Sequence, residues 1–569
     1  MNTRALHRKS AFFVALAIAL SVPSPRAASS VGDSKSSADP AKAAAHAAAK
    51  GDGLLEALVT ELDRSKAQLK MDQVQPPYFI EYRVNEVDDF SAEAAFGALR
   101  ESQRGHYRVL RAVVRIGDYK QDSFYARGEG ESTVLPLDND PIALRRQIWL
   151  ATDDAYKAAG QALAEKQAEL KRFSADTDPV DDFAKTPPLI AVEPAVSLKL
   201  DDASWKKTLE DVTNLYRQYP DVQSVTASAR FSAVNEYLVN TEGTVTRCGK
   251  TTYSVQLNGA AQADDGMRLG RSPAYVVARI EELPSHDALM TNAKNMLDTI
   301  VALRQAPIVE EEYRGPVLFS ADAADDIVAS LIGQNVVGRK PALGRPNRTT
   351  GAFATSYKAR VLPNFLSVID DPTLRDFQGK SLIGSYMFDS EGVRAEPVNT
   401  IENGTLTHYL LGRQPLRDFP ASNGHGRAAA GMAASPNLGV LLLKSTEAQS
   451  PEDLKKKVME MAKDQGRPYA YRVDTLGQPG NTPRLLYRVY ASDGHEELVR
   501  GAVFNELDTR ALRTAVIAAG NDPLVSNRPG GVPTTVISPS LLFDELEVKR
   551  ADTSKDKLPE YPAPPLSRK

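Results

Sequence analysis

Leu54, Leu55, Leu58, Val59, Leu62 and Leu69 recur every three or four residues, which lines them up along one side of a helix over 53–70. Pro76 and Pro77 end that segment. Tyr78, Ile80, Tyr82 and Val84 then alternate with polar neighbours, the pattern of a half-buried strand. A second strand pattern runs from Arg108 to Ile116, and an Ala-, Leu- and Glu-rich stretch over 142–173 returns to helical spacing. Four prolines with little periodicity between 179 and 194 mark a linker or boundary. Beyond them the pattern predicts a helix over 203–216 and strands over 225–231, 236–240, 244–247 and 253–257. Asn240-Thr241-Glu242-Gly243 suits a hairpin turn between two of these strands. A long helix follows from Ser285 to Leu303, with Leu289, Ala293, Met296, Leu297 and Ile300 on one face.

The second half reads differently. Gly315 to Ser320 is a short buried strand and Ala321 to Val337 a helix of small and aliphatic residues. After Gly338, strand follows strand, with turns at Ser390-Glu391-Gly392, Glu402-Asn403-Gly404 and Ser492-Asp493-Gly494. The Asn-Gly pair in Ile401 to Leu406 accepts the positive φ angles of a type I′ hairpin. The fold class expected is α+β, with a mixed α/β N-terminal part and a β-rich C-terminal domain. The segments expected are a signal peptide over 1–28, a flexible linker over 29–52 and an N-terminal α/β extension over 53–180. A middle domain over 195–306, the β-rich domain over 307–550 and a disordered tail over 551–569 complete them.

Composition narrows the classes. With 569 residues, 42% hydrophobic and 25% charged, the chain is long enough for three or four domain-sized units and too ordinary for a collagen or a coiled coil. Cys248 is the single cysteine, so no intrachain disulfide forms and no site can use two thiolates. The balance of 69 basic against 73 acidic residues argues against nucleic-acid binding. Arg4, Arg8 and Lys9 precede an apolar run from Ala11 to Val22, followed by small residues Ala27 to Ser29, the arrangement of a secretory signal. The run is too short to span a bilayer comfortably, so the expectation is an exported protein, periplasmic or secreted, with no stable membrane anchor.

The catalytic motifs are thin. No two of the seven histidines stand three to five residues apart, and His495-Glu496-Glu497-Leu498-Val499 has valine where a second zinc-binding histidine would fall. There is no P-loop, nucleophile elbow or dinucleotide fingerprint. Cys248 lies in a predicted strand, where it reads as a small buried hydrophobe. Gly424-His425-Gly426-Arg427 reads either as a loop needing positive φ or as an anion or peptide-carboxylate contact made by Arg427 and free backbone N–H groups.

A set of segments in order adds to this. The strand and helix from Gly315, Asp389-Ser390-Glu391-Gly392-Val393, Ile401-Glu402-Asn403-Gly404, Ser422 to Arg427, Pro436-Asn437-Leu438 and Phe543 to Val548 resemble the TldD/TldE (PmbA) metalloprotease family. Asn240-Thr241-Glu242-Gly243 is similar to that family's N-terminal hairpin, and the resemblance covers roughly 220–550. The family's catalytic member carries HExxxH on the helix after the strand, plus a distal cysteine ligand. There, glutamate acts as general base on a zinc-bound water whose pKa the metal lowers. The corresponding positions here are Ala329, Ser330 and Gln334, and no cysteine stands near Val525 to Arg528. The resemblance therefore implies no zinc cofactor and a TldE-like subunit that shapes a peptide-binding chamber with a TldD-like catalytic partner or a second copy. Asn423, His425 and Arg427 are the substrate-binding candidates. A hydrolase with an unrecognised site, including a metal site built from His408, His425 and nearby carboxylates, and a stand-alone peptide-binding protein are the alternatives.

Overall fold

The computed structural model describes residues 40–173, 180–310, 312–345, 348–477, 480–561 and 564. The signal-peptide reading of 1–28 lies outside them. Residues 40–49, expected within a flexible tether, instead form helix α1 (Pro40–Ala49). Alanine is the best helix former, and Ala45 and Ala49 are small enough to enter the core that also holds the apolar face of α2 (Gly53–Gln68). Asp52 starts α2 by accepting the N–H of Leu55 at 3.0 Å. From Ala41 onward the chain forms one compact unit.

The N-terminal part is built on one sheet. Strands β1 (Phe79–Ala95), β2 (Ala98–Arg115) and β3 (Glu131–Leu135) precede helix α3 (Pro141–Leu170). After β4 (Ile190–Val192) and helix α4 (Asp202–Asn214) come β5 (Ser224–Asn240), β6 (Val245–Gln262), β7 (Arg268–Arg271), β8 (Ala274–Val277) and helix α5 (His286–Gln305). The strand order is β3-β2-β1-β5-β6-β4, with β7 and β8 also paired to β6. The boundary expected at 179–194 therefore does not divide two sheets. Strands on both sides of it pair, β1 with β5, and Phe183 and Leu189 within it are buried. The pairs of short strands expected over 225–240 and 244–257 are each one long strand. The polar residues between their apolar stretches occupy a face of the sheet rather than a loop.

One face of this sheet is apolar and covered by helices. Tyr82, Val84, Leu110 and Tyr237 pack with α2 and α3, and Phe90, Phe231, Val255 and Leu257 with α4 and α5. The second half holds an eight-stranded sheet in which β9 (Tyr313–Phe319) lies between strands Leu541–Arg550 and Tyr469–Gly477. A six-stranded sheet there contains β10 (Leu366–Asp370), Val440–Ser445 and Thr534–Ser538. The α+β class is borne out, as is the hairpin: Ile401 pairs with Leu406, and Asn403 and Gly404 sit at φ of 46° and 77°.

Helix α6 (Ala321–Ile327) is shorter than expected. Its continuation, Val328–Gly333, widens to a π-helical turn that closes with Gln334 N–H on Ala329 O at 3.3 Å. Residues 551–557, expected in the disordered tail, are held at both ends: Ala551 N–H reaches Gly501 O of the second half at 2.8 Å, and Gln262 Nε2 at the end of β6 donates to Lys557 O at 3.1 Å. Among the described residues no helix is long and apolar enough to cross a membrane.

Candidate functional site

Period two gives the first sheet a second, unlike face. Opposite its helix-covered residues, β5 presents Ser228, Arg230, Ser232, Val234 and Glu236, β6 presents Cys248, Lys250, Thr252, Ser254 and Gln256, and β1 presents Asn85, Val87, Asp89 and Ser91. The antiparallel register sets them in rows: Asn85, Glu236 and Cys248, then Val87, Val234 and Lys250, then Asp89, Ser232 and Thr252. The C-terminal half lays Ser390, the segment around Arg427 to Ala430 and the Pro529 to Pro533 turn over this face. A cavity of about 640 Å³ remains between them. That volume suits a small ligand or a short peptide.

Arginines fasten the cover to the floor. Arg83 on β1 donates to Ser390 O at 3.2 Å and to Met432 O, and Arg111 on β2 donates to Gly431 O at 3.0 Å. Gly431 has φ +71°, and a Cβ there would stand 2.8 Å from Val109, so glycine is what lets the cover approach. In the other direction, fully buried Arg413 donates to Ala184 O at 2.7 Å and Glu242 Oε1 at 2.8 Å, with Phe183 under its guanidinium at 3.9 Å. Beside it, Asp389 accepts the N–H groups of Glu391, Val393 and Gly426 at 2.8–3.0 Å, and Glu391 Oε2 accepts Arg413 N–H at 2.7 Å. Burial, and then the adjacent Glu391 carboxylate, push Asp389 well above the usual carboxylate range. Glu81 on β1, at the same seam, is pushed up to about 7 by burial.

The three substrate-binding candidates part company here. Gly424 has the positive φ expected of its loop, but the loop's N–H groups are spent internally: His425 N–H on Leu411 O and Gly426 N–H on Asp389. Asn423 bridges Leu411 N and Tyr409 O, each at 2.8 Å. His425 is fully buried, with Nδ1 3.0 Å from Asn423 O and Nε2 3.3 Å from Asp370 Oδ1. Neither is among the residues lining the cavity. Arg427 is. Its Nη atoms donate to Leu438 O at 2.9 Å and Pro533 O at 3.0 Å, and its guanidinium lies 4.2 Å from the Tyr386 ring centre, so carbonyls and a ring hold it, with no carboxylate.

The positions of the family's zinc motif do not fit a metal. Ala329 is buried and has no donor, Ser330 is exposed and gives its hydroxyl to Asp326 O at 2.7 Å, and Gln334 is exposed. On strand Leu524–Arg528, where the family has its cysteine, Arg528 pairs with Asp325 and with Asp326 at 2.8 Å. Burial pushes Asp325 up to about 6 against the pull of Arg528. Among the described residues no three His, Cys, Asp or Glu side chains gather as metal ligands, so His408, which is exposed, and buried His425 do not form the core of such a group.

Sequence reasoning passed over Lys250, Asp89 and Tyr386. Polar residues alternating with Tyr253, Val255 and Leu257 do signal a polar sheet face, but not that another domain covers it.

Residues 312–550 match the family model of the PmbA/TldA metallopeptidase C-terminal domain. This part of the chain is a TldD/PmbA-family domain. Over 242 residues the TldD/PmbA homologue is 24% identical to a metalloprotease of Methanothermobacter thermautotrophicus, covering 40% of this chain and 46% of the relative. Over 305 residues it is 25% identical to a metalloprotease of Methanocaldococcus jannaschii, covering 50% and 59%. It thus spans about half the length of these relatives. The structure of TldE from Thermococcus kodakarensis superposes with a TM-score of 0.55 at 14% identity, over 86% of this chain and 99% of that one, so the shared fold extends well beyond 312–550. The family resemblance drawn from the ordered segments is borne out.

Proposed function

We propose that this TldD/PmbA homologue is a zinc-free, TldE-like peptide-binding subunit that works with a zinc-bearing TldD-like partner or a second copy. The observation that carries the reading is the cavity of about 640 Å³ over a polar strand floor, combined with a motif helix whose ligand positions are Ala329, Ser330 and Gln334. A strand-floored cavity holds an extended peptide away from bulk water and presents backbone-compatible polar groups along it. Residues on β5 and β6 bind and orient, and the chain supplies no base or metal-bound water of its own. Export follows from the n-, h- and c-region pattern of 1–28, and N-terminal sequencing of exported material should begin near Ala28.

The test combines elemental analysis, a peptidase assay and co-purification. The purified chain should carry no stoichiometric zinc and cleave no peptide, while retaining a homologue that has an intact HExxxH. About one zinc per chain with chelator-sensitive cleavage would overturn the reading. Chelator-insensitive cleavage by the chain alone would favour a hydrolase with a different site.

A further inference from the structure

Lys250 reaches into the cavity from β6 and also borders a second cavity of about 380 Å³ on its other side. Among the described residues it makes no ion pair. Its ammonium lies 5.2 Å from the centre of the Tyr386 ring, the ring that also carries Arg427 at 4.2 Å. Two cations therefore share one aromatic ring. Arg427 cannot swing away, because Leu438 O and Pro533 O hold its two Nη atoms. Among the described residues no acid pairs with either cation: Glu236, one row along the sheet, accepts from Asn85 Nδ2 at 3.1 Å, and Asp370 and Asp389, near Tyr386, accept the backbone N–H groups of Gly439 and Gly426 at 3.1 and 2.8 Å. Burial first, and Arg427 next, depress the proton affinity of Lys250, outweighing Glu236 and Glu193. Carboxylates stand nearby, but among the described residues none is in ion-pair contact with either cation, which leaves a place for an anion between them.

The cavity has a direction as well. Asp89, with a buried, unpartnered Oδ1, lies one row on and two strands across from Lys250. Strand spacings of about 4.8 Å and a rise of about 3.4 Å per residue put the two Cα atoms roughly 12 Å apart. An anion at Lys250 therefore avoids Asp89, and an extended segment of three or four residues at about 3.4 Å each spans the gap.

Building on the peptide-binding reading, we infer that Lys250 and Arg427 form a carboxylate subsite at the β6 end of the cavity. It takes the C-terminal carboxylate or an acidic side chain of a short peptide. Lys250 contributes a mobile charge, and Arg427, whose Nη atoms are held by Leu438 O and Pro533 O, a fixed positive charge beside Tyr386.

The test is equilibrium dialysis of the full chain with pools of N-acetyl tetrapeptides lacking Asp and Glu. The pools are prepared as free acids, as C-terminal amides, and as amides carrying one Glu. The free-acid pool should bind at least tenfold more tightly than the plain amides, and Lys250→Met should abolish that gap. Recovery of tight binding by the Glu-bearing amides assigns the carboxylate to a side chain, and its absence assigns it to the C-terminus. Equal binding of all three pools would overturn the subsite and leave the peptide-binding reading standing. Binding of none would overturn both. If Lys250→Met does not fold, the readout is protection of Lys250 in the unaltered chain from amine acetylation by the free-acid pool. Protection no greater than that given by plain amides would overturn the subsite.

Discussion

Glu81→Gln should stabilise the protein more at alkaline pH than in acid. Glu81 stands on β1 at the seam between the sheet and the C-terminal half, 6% exposed, beside a void of about 20 Å³ that has room for one water. Burial raises its proton affinity from an ordinary value of 4.5 to about 7, against the pull of Arg83, Arg413 and Arg115 and with a push from Glu391. Between those two values the folded chain keeps the Glu81 proton and the unfolded chain releases it. The folded state then binds more protons, so stability falls as pH rises through the window. At about 1.4 kcal/mol per tenfold change in proton affinity, the penalty above pH 7 reaches about 3 kcal/mol. Glutamine keeps the shape and carries no charge. Urea denaturation of both proteins at about pH 5 and about pH 8 measures the effect, and the difference of differences removes other titrating groups such as Asp325. The variant should gain about 2–3 kcal/mol more at the higher pH than at the lower. Parallel pH profiles would refute the claim that desolvation outweighs the arginines at this position.

Gly426→Ala should cost about 3 kcal/mol, because the new Cβ would stand 2.0 Å from Glu391 Oε2 and force that carboxylate off Arg413 N–H. Gly379→Ala, at φ +79° with nothing within 4 Å, should cost only about 1 kcal/mol in denaturant melts. Arg528→Ala should destabilise by about 1–2 kcal/mol near neutral pH, since Asp325, 2% exposed and pushed up to about 6 even with its partner, would escape the unpaired charge by taking up a proton. The loss should shrink below about pH 6, where Asp325 takes up its proton, and adding Asp325→Asn should recover much of it. A loss that is constant with pH would contradict the ion-pair account.

The sequence by itself determined what depends on neighbours within a few residues. The apolar stripe of α2, the alternation in β1, the strand-to-helix step at Ser320 and the Asn403-Gly404 turn were all legible, because each is set by local periodicity or by a backbone angle that few residues accept. The replaced motif positions Ala329, Ser330 and Gln334 were legible for the same reason: the loss of the histidine ligands and the glutamate base is a property of the side chains alone. Other features were decided only by tertiary structure. Ala45 and Ala49 look like tether residues until a partner surface gives such small side chains something to bury against. The polar residues of β1, β5 and β6 look like interruptions between short strands, because strand pairing between segments more than a hundred residues apart, such as Val87 with Val234, leaves no local signal. The roles of His425 and Arg427 diverged two residues apart on one loop. Period two would put both on one side, yet His425 packs onto Asp370 while Arg427 lines the cavity, where Pro533, over a hundred residues later, holds it. Lys250 was the least legible of all. A lysine on a polar strand face is ordinarily solvated, and only the loops of the C-terminal half, laid over that face by Arg83, Arg111 and Arg413, turn it into a charge lining a covered cavity.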